Sequence, residues 1–153
     1  MSAEPAQFAD LPEMHPPSGD ATEWTIDQDW TSPPLDGRAI TIRAGFITDG
    51  ASIPQAAWSI IGAPMSVPLL GPALCHDALY AAELVADHAT ADWLFLRYMQ
   101  LAGIGWFRRN LVWSAVRLFG WSVWRAHTPA SVAAARKFCS ITAPPSANED
   151  VHR

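Results

Sequence analysis

The sequence predicts an α+β fold that is mostly α: an N-terminal β-hairpin followed by three to four packed helices. Three observations carry this. Residues 22–30, TEWTIDQDW, alternate Trp24, Ile26 and Trp30 with Thr25, Asp27 and Asp29, the period of a half-buried strand. Residues 38–46, RAITIRAGF, place Ile40 and Ile42 on one face of a second strand. From Pro72 onward, long apolar stretches are punctuated by Gly, Pro and Thr at helix-like intervals.

Taken in order, residues 1–21 read as a flexible acidic leader rich in Pro and Ala. SPPLDG (32–37) has Pro and Asp-Gly turn chemistry, so the two strands are expected to pair as a hairpin. ITDGASIPQ (47–55) breaks the second strand at Asp49-Gly50. Ser52 is placed to cap a short helix, Gln55 to Ile61, opened by Pro54. Pro72 starts a helix over 73–85. Thr90 caps another over 91–102, which Gly103 ends. A third runs from about 106 to 118 and continues past Gly120 to Ala126, with Pro129 as its stop. Residues 130–140 add a last turn or two, and 141–153 read as a disordered tail. The body, 22–140, is expected to be a single domain, since 153 residues suit one core.

Composition narrows the function classes. Half the residues are hydrophobic and 16% are charged, which excludes wholesale disorder. Eight tryptophans imply a dense core, a sticky surface, or both. Residues 1–37 hold eight acids and no Lys or Arg; the remainder holds seven acids and ten bases. A slightly basic body with scattered Arg is a weak argument for nucleic acid, and none is expected as a partner. The first residues carry no basic segment followed by an apolar one, so no signal peptide is expected. No apolar run is long enough to span a bilayer. Cys75 and Cys139 make no disulfide framework and read as buried thiols. The helix from 106 to 126 mixes Trp106, Trp113, Trp121 and Trp124 with Arg108, Arg109, Arg117 and Arg125. That composition occurs in interfacial helices, but its apolar positions run most of the way round. It is therefore expected to be a buried central helix, with weak membrane-surface contact as the alternative.

The densest chemistry is Cys75-His76-Asp77-Ala78-Leu79-Tyr80. On a helix His76 and Tyr80 are one turn apart on the same face, with Asp77 about 100° round. Burying a lone His or Asp is costly, so these residues sit at the surface, pair with something, or face a site. Neighbours in sequence diverge on a helix. Any carboxylate that orients His76 must therefore come from elsewhere, with Asp92 or Asp49 the candidates, and a Cys75–His76 nucleophile pair is disfavoured. The segment joining the two helices is short, so they should pack antiparallel and bring Asp92 towards the first. Asp49 is read either as a site residue on a loop or as a turn-former before Gly50. His88 reads as a solvated turn residue. The His-Asp pair is open between a structural hydrogen-bonded pair, a base or metal ligand, and incidental surface placement.

Four motifs in order, AGFITDGASIP (44–54), CHDALY (75–80), ADWLF (91–95) and VRLFG (116–120), resemble those of DUF1353, a family of unknown function found in tailed phages and prophages. The resemblance covers about residues 38–124. It implies a phage or prophage origin, and with it a bacterial cytoplasm or a virion. The His-Asp-x-x-Tyr helix with a later Asp on an antiparallel partner is also similar to the active site of phospholipases A2. That likeness implies His76 as base, Asp92 as its orienter, Tyr80 as hydrogen-bonding support and Asp77 as a calcium ligand; the residues add Asp49 as a candidate second ligand of a divalent cation, Ca²⁺ or Zn²⁺. Two features depart from it: no glycine-rich calcium loop is evident, and the bracing disulfides are absent. The expectation is a phage-encoded hydrolase with a His-Asp site, metal-assisted, acting on a lipid or cell-envelope substrate. The alternative is a non-enzymatic virion, tail or assembly component that contacts phage structural proteins.

Overall fold

A computed structural model describes residues 8, 10–16, 18, 23–48, 59 and 68–142. Among these the chain forms six short strands and four helices: β1 (Met14–His15), β2 (Trp24–Ile26), β3 (Trp30–Thr31), β4 (Ala39–Ile42), β5 (Ile47–Thr48), α1 (Leu70–Ala81), α2 (His88–Leu101), α3 (Trp106–Ala126), α4 (Pro129–Arg136) and β6 (Cys139–Thr142). The α+β class is as expected from the sequence, with helix predominating.

The strands form two antiparallel three-stranded sheets, ordered β1-β2-β5 and β3-β4-β6. The expected hairpin exists as β3–β4, with Trp30 opposite Ile42 and a Leu35–Arg38 bridge at its turn. The single strand expected over 22–30 is divided. Asp27 to Asp29 interrupt it, and the two halves enter different sheets. The Asp29 carboxylate accepts from the Ala44 amide at 2.9 Å, so its side chain bonds the backbone of the facing segment at the break. β2 is instead flanked by Met14–His15, within the expected leader, and by Ile47–Thr48. β6 was not foreseen. Cys139 to Thr142 pair with the whole of β4, so Ile141 and Thr142 belong to a sheet and not to a tail.

The helical boundaries move for local reasons. α1 begins before Pro72, which sits in its first turn where no backbone N–H is needed. α2 begins at His88 because Asp87, not Thr90, is the cap: its carboxylate accepts from Thr90 N at 2.7 Å. That contact holds the Asp87 carboxyl below the usual range. α3 runs unbroken through Gly120 to Ala126. α4 opens on a reciprocal Thr128–Ser131 capping box with Pro129 in its first turn. It also finishes α1, since Arg136 donates to the carbonyls of Ala82 (2.8 Å) and Glu83 (3.3 Å) at that helix's C-terminal end. Of the short helix expected over 55–61, Ser59 is described and is helical; the rest, with Ser52 as its cap, lies outside the described residues.

One core joins the strands to the inner faces of α1 and α2, through Ile26, Ile40, Ile42, Leu74, Leu79 and Tyr98. A second joins α1, α2 and α3 through Leu69, Ala73, Phe95, Met99, Val112 and Val116. A polar cluster lies where α1, α2 and α3 meet.

Candidate functional site

α1 and α2 are joined by six residues, too few for anything but a reversal, so residues near the start of α2 face the second half of α1. This brings Asp92 to His76. The pair is 2.8 Å apart, His76 Nε2 to Asp92 Oδ1, and both side chains are buried. Tyr80, one turn beyond His76, donates its hydroxyl to the same Oδ1 at 2.6 Å. The imidazole lies between two rings, with centroids 4.3 Å from Tyr80 and 4.5 Å from Phe95.

The other carboxylate oxygen faces α3. Arg117 Nη1 donates to Asp92 Oδ2 at 3.0 Å and to His88 Nδ1 at 3.1 Å. Arg117 and His88 are each about a third exposed, whereas Asp92 is 0% exposed. The cluster therefore has a dry end at His76 and a wet end at Arg117. Trp124 covers the Tyr80 ring edge-on at 5.2 Å. Gly120 leaves room for the Tyr80 hydroxyl, since a β-carbon there would come within 2.5 Å of that oxygen.

The electrostatics follow from this hub. Burial pushes the Asp92 carboxyl up, but bonds from His76, Tyr80 and Arg117 outweigh it and hold the group below the usual carboxylate range. Asp92 is thus a buried anion that only accepts. Burial first, and then the adjacent Asp92 charge, push the Tyr80 phenol well above its ordinary range, so it stays a donor. Burial drives the Cys75 thiol far upward and raises Cys139 to about 12. Neither cysteine is poised as a nucleophile.

Of the residues singled out from the sequence, His76, Tyr80 and Asp92 come together. Asp77 is half-buried on α1, and its charge helps raise the Cys139 thiol at the start of β6. It therefore lies towards the sheet, about a quarter-turn from the His76 face. Asp49 lies outside the described residues. Among the described residues no group of three His, Cys, Asp or Glu side chains is arranged to hold a metal ion. Two cluster members were missed. His88 opens α2 and bonds Arg117 instead of standing free in a turn. Its signal was the four-residue spacing to Asp92, one helical turn. Arg117 was visible only as one of four arginines on its helix, and nothing local said that it would meet a carboxylate.

No solved structure matches the chain. A relative described as "Uncharacterized protein y4jT", from Sinorhizobium fredii (strain NBRC 101917 / NGR234), is 31% identical over 96 residues. That stretch is 62% of this chain and 28% of the relative, so the chain matches only a part of that longer protein. The family model described as "Protein of unknown function (DUF1353)" matches residues 24–116, a span holding β2 to α2, the first half of α3, and His76, Tyr80, His88 and Asp92; the chain belongs to that family.

Proposed function

We propose that this protein is a hydrolase in which the His76–Asp92 couple serves as general base against an ester of a lipid or other cell-envelope amphiphile. One observation carries the reading: a buried, ionised Asp92 grips His76 Nε2 while Tyr80 steadies the same oxygen. An ionised carboxylate cannot donate, so Nε2 carries a ring proton, and in this reading the second ring nitrogen, Nδ1, is the one that acts as base. Nδ1 would take a proton from water as the water oxygen attacks the ester carbonyl. The C–OR bond then breaks, and the proton passes to the departing alkoxide. Asp92 stabilises the imidazolium formed between these steps, and Tyr80 and Arg117 keep that carboxylate from turning.

The order His-Asp-x-x-Tyr, with an Asp from an antiparallel helix, is similar in arrangement to phospholipase A2 chemistry, which favours a lipid ester over an amide. The His76 ring is 2% exposed and flanked by Tyr80 and Phe95. Among the described residues that ring has almost no open surface, so the reading requires a movement that admits water and the ester to it. The phage or prophage origin implied by the motifs belongs to the same proposal, as the setting in which an envelope-directed hydrolase would act.

The test is a substrate panel: phosphatidylglycerol, phosphatidylcholine, a triglyceride and peptidoglycan, each with chelator, Ca²⁺ or Zn²⁺. Wild type is expected to release fatty acid from a phospholipid. His76→Ala, with an unchanged circular dichroism spectrum, should be slower by about 10²–10⁴-fold. No turnover by wild type on any substrate under any cation would overturn the reading.

A further inference from the structure

We propose that the cavity between the β3–β4 hairpin, β6 and the α1–α2 pair binds a medium-chain aliphatic carboxylate, its chain inward and its headgroup on Arg38; the site stands independently of the hydrolase reading. The hairpin builds one wall. Asp36 and Gly37 both hold positive φ, 51° and 74°, as a two-residue Asp-Gly turn between right-twisted strands requires. On either side of that turn the Leu35 and Arg38 backbones exchange hydrogen bonds of 2.8 and 3.0 Å. Residues directly opposite in an antiparallel pair project to one face, as does every second residue along a strand. Leu35, Arg38 and Ile40 therefore share a face, and Ile141, opposite Ile40 on β6, joins them. That face meets Leu79 on α1, Val85 in the connection, and Leu94 and Tyr98 one turn apart on α2, and together they enclose about 370 Å³. The volume lies in the range of small-molecule sites, about 300 to 1,000 Å³. Neither His76 nor Asp92 lines this cavity, so it is distinct from the candidate active site.

Its chemistry selects the occupant. Six of its side chains, Leu35, Ile40, Leu79, Val85, Leu94 and Ile141, are aliphatic. They suit an alkyl chain and would strand the hydroxyls of a sugar. Arg38 is exposed and also lines the cavity, so its guanidinium stands at the mouth. Asp36 is there too, but it is paired with Arg97 at 3.4 Å. Among the described residues the Arg38 guanidinium has neither an ion pair nor a hydrogen bond. Burial pushes the Tyr98 phenol well up, so that side chain adds no negative charge. The uncommitted charge of the site is therefore positive, and a guanidinium offers a carboxylate two parallel N–H donors. A neutral or cationic chain would leave those donors unused. No helix among the described residues is long and apolar enough to cross a membrane; a cavity, not a spanning helix, is what they offer an alkyl chain.

The experiment is isothermal titration calorimetry of the full chain at neutral pH with octanoate, octanol and octyltrimethylammonium, each kept below the concentration at which it forms micelles. One octanoate is expected per chain, with octanol at least about tenfold weaker and the cation weaker still. Arg38→Gln, at an exposed position, should keep the fold, lose about tenfold for octanoate and leave octanol unchanged. Leu94→Trp should fill the cavity and abolish binding of both. His76→Ala should bind octanoate like wild type, so that failure of catalysis and failure of this site are read separately. No octanoate binding by wild type would overturn the proposal, as would equal affinity for octanoate and octanol, undiminished binding by Arg38→Gln, or undiminished binding by a folded Leu94→Trp.

Discussion

The Tyr80 hydroxyl occupies the space that a side chain at Gly120 would need: a β-carbon on Gly120 would lie 2.5 Å from that oxygen and 3.2 Å from Cζ. Glycine in the middle of a 21-residue helix costs about 1 kcal/mol relative to alanine. Here that cost is offset by letting Tyr80 reach Asp92. Gly120→Ala is therefore expected to destabilise the fold by about 1–3 kcal/mol despite its better helix propensity. In a urea-denaturation cycle, Gly120→Ala should cost less in a Tyr80→Phe background, because the closest contact is gone.

Asp92 holds three helices at one point, through His76 and Tyr80 on α1 and Arg117 on α3. Asp92→Ala would leave a buried imidazole, a phenol and a guanidinium without their acceptor. A loss of about 3–5 kcal/mol is expected in chemical denaturation. Asp92→Asn keeps the shape and should lose less stability, but the imidazolium formed in the reaction then has no carboxylate beside it. Stability and hydrolysis are thus expected to separate between these two variants.

The pH dependence has a definite sign. The Asp92 carboxyl is held below its ordinary value of about 3.9 in the folded protein. As pH falls, the unfolded chain takes up that proton first. The stability contributed by Asp92 is therefore complete above about pH 4 and is lost as pH drops through the folded value. Wild type should lose stability more steeply than Asp92→Asn below about pH 4, measured by urea midpoints from pH 6 to pH 3. Parallel curves would show that the carboxylate is not held by its three donors.

Legibility in the sequence followed the range of the interactions. The α1–α2 reversal and the His76–Tyr80–Asp92 meeting could be read because they depend on helical spacing and a short connection. The split at Asp27–Asp29 could not, since alternation survives across it and only the pairing of Met14–His15 and Ile47–Thr48 with β2 reveals two sheets. β6 was hidden for the same reason: Cys139 to Thr142 become a strand through β4, nearly a hundred residues earlier. Arg117 and His88 complete the cluster only once α3 crosses α2. α3 is not the central helix that its encircling apolar residues suggest, since only the Val112–Val116–Gly120 side is buried.

Fatty-acid release from phosphatidylglycerol vesicles by wild type and by folded His76→Ala, followed titrimetrically at neutral pH, tests the central claim most directly. The account predicts steady release by wild type and at least about a hundredfold less by the variant. Equal release by the two proteins, or none by wild type with chelator, Ca²⁺ or Zn²⁺, would contradict it and leave the His76–Asp92 pair as a clasp between helices.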